Sequence, residues 1–304
     1  MLKNPRVVIV VLNYKGPKDT VDCLESLTRL DYPNYDVIIV DNDSSDDLVA
    51  VIRRSYPDVE ILKTGENLGY VGGNNIGIQW ALENQSDYVL LLNNDTEVAS
   101  DFLSRLVTVA ESDSSVGVVG PTIYYFDRPK VIWSAGGAID WKRGQTTMVG
   151  LEEVDDGQWG EKPRPVDFIT GCALLAKSHV FRRVGLLDAR FFAYYEETEW
   201  CVRVARAGYK ILHVPRAIVW HKISPTARAI SPTVRYYMTR NRLLFLAITR
   251  AGWHAWLHTI MEYLRMLLSW RLHPKWRGQR TGFDETLQAI LDYFSGRRGR
   301  VAPK

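Results

Sequence analysis

The chain opens on an unbroken apolar run, RVVIVVLNY over residues 6–14. A run with no polar face predicts a strand covered on both sides. PKDTVDCLESLTRLDYP follows, with Val21, Leu24, Leu27 and Leu30 at helical spacing and a stop near Pro33. The alternation then repeats. YDVIIVDNDSSDD (35–47) is a second buried strand ending in carboxylates and hydroxyls, with Ser44 or Ser45 placed to cap the next helix, DDLVAVIRRSYP. VEILKT is a short strand, NLGYVGGNNIGIQWALEN a Gly/Asn loop entering a helix, and DYVLLLNNDTEV another buried strand. This alternation predicts an α/β chain of βαβ units on a mainly parallel sheet. Polar residues gather just past the strand ends, where open α/β sheets bind ligands.

Beyond residue 120 the pattern loosens into short antiparallel strands and a mobile acidic insertion, EEVDDGQWGEKPRP. Order returns at VDFITGCALLAKSHVFRRVGLLD and at EETEWCVRVARAG, a helix with acids at its start, basic residues towards its end and Gly208 as its stop. From residue 235 Trp253, Trp256, Leu257, Ile260, Met261, Leu264, Leu267 and Leu268 form an amphipathic stripe. HPKWRGQRTG interrupts it, FDETLQAILDYF is one more short helix, and SGRRGRVAPK reads as a frayed basic end. These shifts divide the chain into a body over 1–234, with halves meeting near 120, and a helical region over 235–304.

Charge sharpens that division. The net charge is only +3, yet the region from Arg235 onward holds 13 Lys/Arg against 4 Asp/Glu, a balance of +9 on a body of −6. The three cysteines, Cys23, Cys172 and Cys201, are too few and scattered for a disulfide framework or a zinc site. No run reaches the ~18 apolar residues of a membrane span, and MLKNPRVVIVVLNY lacks the apolar core of a signal peptide. The expected location is the cytoplasm, with the inner face of the plasma membrane open to the basic region.

Four polar clusters have the composition for chemistry. Asp41 ends the second strand, where a carboxylate can accept hydrogen bonds from a base or ribose as readily as cap a helix. Gly69, Gly72 and Gly73 let backbone approach a ligand or simply turn, and the G-x-G-x-x-G fingerprint is absent. Asn93 and Asp95 flank one residue and offer two oxygens to a hard cation that brings phosphates of its own, although Asn-Asn-Asp is also ordinary turn chemistry. Glu196, Glu197 and Glu199 crowd one helical turn between Tyr194, Tyr195 and Trp200. Acids stabilise a helix start, but two adjacent ones beside aromatics also compose a general base with a platform for a sugar. Mutual repulsion raises one of them towards neutral pH. His221 follows AIVW at another strand end, where a lone histidine is as readily structural as a ligand.

Taken in order, VVLNYKG, VDNDSSD, NLGYVGGNNIG, LLNNDTEV, FITGCALLAKSHVFRRVGLLDARFFAYYEETEWCVRVARAGYKILHVP, VWHK, YYMTRNRLLF and LDYFSGRRGR resemble glycosyltransferase family 2, and within it the bacterial rhamnosyltransferase-like members. The resemblance spans nearly the whole chain. It implies a GT-A fold over 1–234, a nucleotide-diphosphate sugar donor, a divalent cation (Mg²⁺ or Mn²⁺) and inversion at the anomeric carbon. NND takes the place of the family's D-x-D motif, so Asp95 matches the metal ligand, with Asn93 as a further candidate and Asn94 beside the ribose or diphosphate. His221 matches a second metal-site position. Asp41, with neighbouring Asn42, matches the base-recognising residue, with Asn13, Gly73 and Asn75 lining the same pocket, and Gly171 matches a segment near the leaving phosphate. Glu197 matches the catalytic base, where the family more often has Asp, and Glu196 its orienting partner; Tyr195 and Trp200 would face the acceptor.

The resemblance favours dTDP-L-rhamnose as donor, then UDP-sugars, and a glycan or polyprenyl-linked acceptor, with no nucleic acid. The basic stripe suits an anionic membrane, and equally the catalytic body or a second copy of the chain in a homodimer. His254, His258 and Glu262 fall at i, i+4, i+8, a metal ladder in outline that also reads as the helix's polar face. The competing class is a non-catalytic nucleotide-sugar or glycan-binding subunit, which predicts loss of Glu197 or Asp95, and both are present. A nicotinamide-dependent oxidoreductase lacks its fingerprint, and a nucleotidyltransferase lacks a phosphate loop after the first strand.

Overall fold

The computed structural model describes residues 4–43, 47–223, 231–272 and 280–301. The helix cap expected of Ser44 or Ser45 lies outside them. Strands β1 (Val7–Asn13), β2 (Tyr35–Asp41), β3 (Glu60–Lys63) and β4 (Tyr88–Asn93) are parallel, and helices α1 (Pro17–Leu27), α2 (Asp47–Ser55) and α3 (Gly69–Glu83) connect them. Val7 to Val11 have no exposed surface. Each such side chain contributes roughly 1.5–3 kcal/mol by leaving water, which explains a run without a polar face.

The sheet continues through β5 (Thr96–Val98), helix α4 (Phe102–Glu111), β6 (Val116–Tyr125) and β7 (Arg128–Ser134). A small hairpin of β8 (Gly137–Asp140) and β9 (Gln145–Met148) stands apart, followed by the two-residue β10 (Arg164–Pro165) and by β11 (Ala173–Lys177). Helices α5 (Ser178–Val184) and α6 (Glu196–Arg206) precede β12 (Lys210–His221). The main sheet runs β10-β12-β6-β11-β4-β1-β2-β3, with β5 on β12 and β7 on β6.

Two features of this order make a site. The chain builds outward from β1 to β3 and then returns to the far side of β1 as β4, so a crevice opens at the carboxyl ends of β1 and β4. Register aligns those ends: Asn13 pairs with Asp41, and Leu12 with Asn93. Strand β11 is antiparallel to β4, which brings its amino end, with Gly171 and Cys172, to the same edge; the Asn93 amide donates to the Cys172 carbonyl (2.9 Å).

The Gly/Asn segment expected as a ligand-facing loop forms the first turns of α3 instead. Its glycines are spent on packing: a Cβ at Gly73 would lie 2.3 Å from Leu12, and one at Gly77 2.2 Å from Val10. The helix thus lies against β1 at a distance only glycine permits.

Helices α7 (Pro232–Ile248), α8 (Trp253–Leu272) and α9 (Arg280–Phe294) follow. Helix α7 starts ahead of residue 235 and packs on the body, with Arg242 donating to the Gly144 carbonyl (2.7 Å) and pairing with Glu262 of α8 (3.0 Å). The end expected to fray is docked: the Gly299 amide donates to the Arg190 carbonyl (2.9 Å), and Val301 bonds Tyr237 through both its backbone groups. Helix α8 turns Ala255, Thr259 and Tyr263 inward, whereas Trp253, Leu257, Met261, Leu264, Leu268 and Leu272 are 49–73% exposed. The stripe is therefore split: Trp256 packs against the core of the body and on Tyr293 of α9, while those six side chains face outward. Among the described residues no helix is long and apolar enough to cross a membrane.

Candidate active site

The sheet edge opens into a cleft of about 870 Å³ whose lining includes Asn93, Asp95, Gly171, Glu196, Glu197 and His221. Six expected site residues drawn from four separate segments thus share one space.

On one part of the cleft, His221 Nε2 lies 3.1 Å from Asp95 Oδ1. His221 ends β12 opposite Thr96 of β5, and the Lys222 amide donates to the Asp95 carbonyl (2.8 Å), so strand pairing fixes their approach. Burial would raise Asp95, but the hydrogen bond and charge of His221 outweigh it and hold the carboxyl below its ordinary range. For His221 burial acts downward, and the adjacent Cys172 and Asp95 reverse it, raising the imidazole to about 10. Burial keeps the Cys172 thiol protonated, so Asp95 is the partner that matters. His221 Nδ1 is buried without a hydrogen-bond partner among the described residues. One ionised carboxylate, the nearby Asn93 amide and the imidazole, once it gives up its proton for the metal, would suit a divalent cation that keeps part of its shell for a diphosphate.

Elsewhere in the cleft the start of α6 presents the acids. Glu196 is buried and Glu197 half-buried. Burial raises both carboxyl pKa values; for Glu196 the charge of Glu197 adds to it, while backbone amides of Glu197, Gly171 and Thr198 temper the rise at Glu197. Among the described residues Oε2 of each carboxylate has no hydrogen-bond partner. A carboxylate steadied by amides on one oxygen and unsatisfied on the other is equipped to take a proton. Tyr70 completes this wall by donating to the Gly171 carbonyl (2.7 Å).

The other expected residues divide. Asn13 and Asn94 form a buried network: Asn94 Nδ2 donates to Asn13 Oδ1 (3.0 Å), to the Gly16 carbonyl and to Thr20 Oγ1. Asp41 is 4% exposed at the tip of β2, beside Asn42, whose amide group binds Gly69 and Leu68 backbone and ties the loop before α3. Asn75 spends both ends of its amide on Leu187 backbone (2.9 and 3.1 Å) and, with Gly73, lies behind the cleft. Tyr195 and Trp200 are corrections. Trp200 is fully buried, stacked on Phe181 with its indole donating to the Gly185 carbonyl (2.8 Å), and Tyr195 packs on Phe245. At i, i+4 from Glu196, Trp200 has to follow the inward face of α6. Tyr194, 39% exposed, lines the cleft instead, together with Tyr70, Tyr125 and Trp133.

Asp19 and Lys222 line it as well and went unnoticed in the sequence. Asp19, in the first turn of α1 just past β1, is raised by burial and by the charge of Asp95. Lys222 pairs with Asp22 (2.7 Å) and Glu97 (2.9 Å). The signal available for Lys222 was its position directly after β12; Asp19, inside the first turn of α1, carried none. The ladder of His254, His258 and Glu262 binds otherwise: Glu262 pairs with Arg242 and Gln145, and among the described residues no group of three or more acids, histidines or cysteines is arranged for a metal.

Comparison with known proteins agrees with this geometry. The family model described as Glycosyl transferase family 2 matches residues 6–177. The chain is 27% identical over 291 residues to an N-acetylglucosaminyl-diphospho-decaprenol L-rhamnosyltransferase of Mycobacterium tuberculosis, covering 87% of this chain and 91% of that one. It is 25% identical to the dTDP-rhamnosyl transferase RfbF of Shigella flexneri (80% of each chain). A match to the hexosyltransferase Agl10 of Haloferax volcanii, 29% identical, spans 67% of this chain and 62% of that protein. In structure the chain is similar to the mannosyltransferase PcManGT from Pyrobaculum calidifontis, solved with GDP-Man and Mn²⁺ (TM-score 0.61, 14% identity, 98% of this chain and 89% of that one). It is also similar to GalNAc-T7 solved with UDP, GalNAc and Mn²⁺ (TM-score 0.64, 15% identity, 98% and 59%). The fold is thus the GT-A fold, and the chain belongs to glycosyl transferase family 2 and is a glycosyltransferase.

Proposed function

We propose that this glycosyltransferase moves L-rhamnose from dTDP-L-rhamnose to a hydroxyl of a lipid-linked glycan, inverting the anomeric carbon and requiring a divalent cation. The observation that carries the reading is a single cleft shared by the Asp95–His221 pair and the Glu196–Glu197 pair. Two relatives named as rhamnosyltransferases, one of them for a decaprenol-linked acceptor, support the sugar and the acceptor class. Residues 1–234 act as the catalytic body, with the donor bound by the half up to about 120 and the acceptor by the rest.

Asp41 and Asn13 hold the nucleoside at the strand ends, and Asp95, His221 and Asn93 hold a cation against the diphosphate. That cation, when bound, neutralises charge growing on the leaving diphosphate. Glu197 takes the proton of the acceptor hydroxyl as its oxygen attacks the anomeric carbon from the face opposite the diphosphate. Glu196, buried behind it, orients the base. Tyr194 offers an aromatic face to the acceptor sugar. Fixing both substrates in line supplies much of the remaining acceleration.

The exposed stripe of α8 fits a lipid-linked acceptor. Six large apolar side chains on one helix face, with Arg265 and Arg271 exposed on the same helix, suit the interface of an anionic membrane. Leu257→Glu with Leu264→Glu is expected to abolish sedimentation with phosphatidylglycerol vesicles, and unchanged sedimentation rejects this placement. The donor is tested by calorimetric titration of dTDP, UDP and GDP with and without Mn²⁺ or Mg²⁺. Metal-dependent binding of dTDP is the expected result; binding of none of the three overturns the reading.

A further inference from the structure

The loop that carries the acids into α6 is unusual in its backbone. Phe192, Tyr194 and Tyr195 all sit in the left-handed region, at φ of 69°, 69° and 73°. Bulky L-residues pay roughly 1–2 kcal/mol each for that conformation, so something outside the loop has to hold it. Tyr195 directly precedes Glu196, and relaxation of the loop would carry both acids with it.

The holder is one pair of residues on α7. Asn241 Nδ2 donates to the carbonyls of Phe191 (3.0 Å), Ala193 (2.7 Å) and Tyr194 (2.9 Å). Its Oδ1 accepts from Arg240 Nε (3.0 Å) and Nη2 (2.9 Å). Arg240 in turn donates through Nη2 to the Phe191 carbonyl (2.9 Å) and through Nη1 to the Gly299 carbonyl (2.8 Å). Both side chains have no exposed surface, and the guanidinium lies 4.9 Å from the centre of the Tyr237 ring. A fully buried guanidinium whose bonds go to carbonyl and amide oxygens is costly by itself. Here each of its bonds ends on the loop, on the neighbour that grips the loop, or on the docked C-terminal segment.

We propose that Arg240 and Asn241 are positioning residues for the catalytic base: they hold the strained 191–195 backbone so that Glu197 faces the cleft, and they make the C-terminal helices part of the active site. The inference rests on the transferase reading, and Glu197 is the group that touches substrate. Asn241 acts only through the three carbonyls it collects.

Asn241→Ala removes those donors. With dTDP-L-rhamnose as donor and a short-chain N-acetylglucosaminyl-diphospho-prenol as acceptor, kcat is expected to fall about 100-fold, the scale of a displacement near 1 Å. Affinity for dTDP with Mn²⁺ should stay within about twofold, because the strand ends that bind it are untouched. Hydrogen exchange over residues 190–197 should rise while that over β1 and β4 does not. An unchanged kcat, or a kcat and a dTDP affinity that fall together, overturns the proposal. If Asn241→Ala does not fold, Arg240→Lys, which keeps the cation and loses the fork, takes its place with an expected fall of about tenfold in kcat alone. A wild-type chain that transfers nothing overturns the proposed donor and acceptor instead. Hydrogen exchange then decides the clamp, since it needs no turnover.

Discussion

The donor side and the base side of the cleft reach their geometry by opposite means. On the donor side, Asn13, Asp41 and Asn93 sit at strand ends aligned by the register of a buried parallel sheet. The hydrogen bonds that place them are the same ones that stabilise the fold; the left-handed residues on this side, Lys15 and Asp43, come after the placed side chains and not before them. On the base side, Glu196 and Glu197 follow a loop with three left-handed non-glycine residues and are placed by side chains some 45 positions further along the chain. Position is bought there against the loop's own preference. The donor side should therefore tolerate change without loss of accuracy, and the base side should not.

The largest expected effect separates chemistry from binding. Glu197→Gln keeps the shape of the base and removes its basicity, so transfer should fall about 10³-fold, within the usual range for a general base. Nucleotide affinity should not change. A variant that retains a tenth of the activity would move the base elsewhere, with Glu196 the next residue to substitute. Asp95→Ala tests the other side and should do the reverse. Metal-dependent dTDP binding is expected to weaken about 100-fold, with the loss visible by calorimetry before any turnover is measured. Equal dTDP affinity with and without the substitution would remove the cation from Asp95.

The two sides touch at Gly69, which offers a third way to sharpen the contrast. Its φ is 73°, and an added Cβ would lie 2.5 Å from both the Phe192 carbonyl oxygen and its ring. The Phe192 carbonyl already accepts from the Val71 amide (3.0 Å), so it has little freedom to retreat. Gly69→Ala should cost about 1–3 kcal/mol in chemical denaturation and lower kcat by pushing the base loop. Gly73→Ala meets only the flexible end of Leu12 and should cost less at the active site. If both variants keep full kcat, the contact between the halves does not govern the base.

The same contrast explains what the sequence disclosed. Parallel strands announce themselves as apolar runs, and a polar residue just past such a run lies at the ligand edge by topology alone. Asp41 and Asp95 were legible for that reason, whereas Asn13 entered only through the family resemblance. His221 was legible too, although its partner was not, because pairing of β5 with β12 joins positions 126 residues apart. The base side left no periodic trace. Nothing local marks Phe192 or Tyr194 as left-handed, since the reason lies in Asn241; the Arg240-Asn241 pair belongs to the YYMTRNRLLF segment of the resemblance, but the sequence assigns it no role. Trp200 misled for a related reason: its neighbours in sequence are catalytic in character, but helical geometry sends it to the core. The Gly/Asn run misled because close approach of helix to strand calls for the same residues as close approach of backbone to ligand.

The smallest effect concerns stability, and its sign is the test. Burial, with the charge of Glu197 added, holds the Glu196 carboxyl above its ordinary value of 4.5. In the unfolded chain the same group ionises near that ordinary value. Above pH 4.5 the folded protein therefore keeps a proton that the unfolded chain has lost, and stability falls as pH rises until the buried group ionises too. Glu196→Gln removes this dependence while keeping the shape. Below pH 4.5 the variant and the wild type should melt together, and towards pH 8 the variant should melt higher by a margin that grows with pH. Such a gain would accompany a loss of activity, because the side chain that destabilises the fold is the one that orients the base. A variant that melts lower than wild type at pH 8 would mean that the ionised Glu196 is well solvated or well paired. The base side would then hold its acids no less comfortably than the donor side holds Asp95, and strain would be confined to the backbone of the loop.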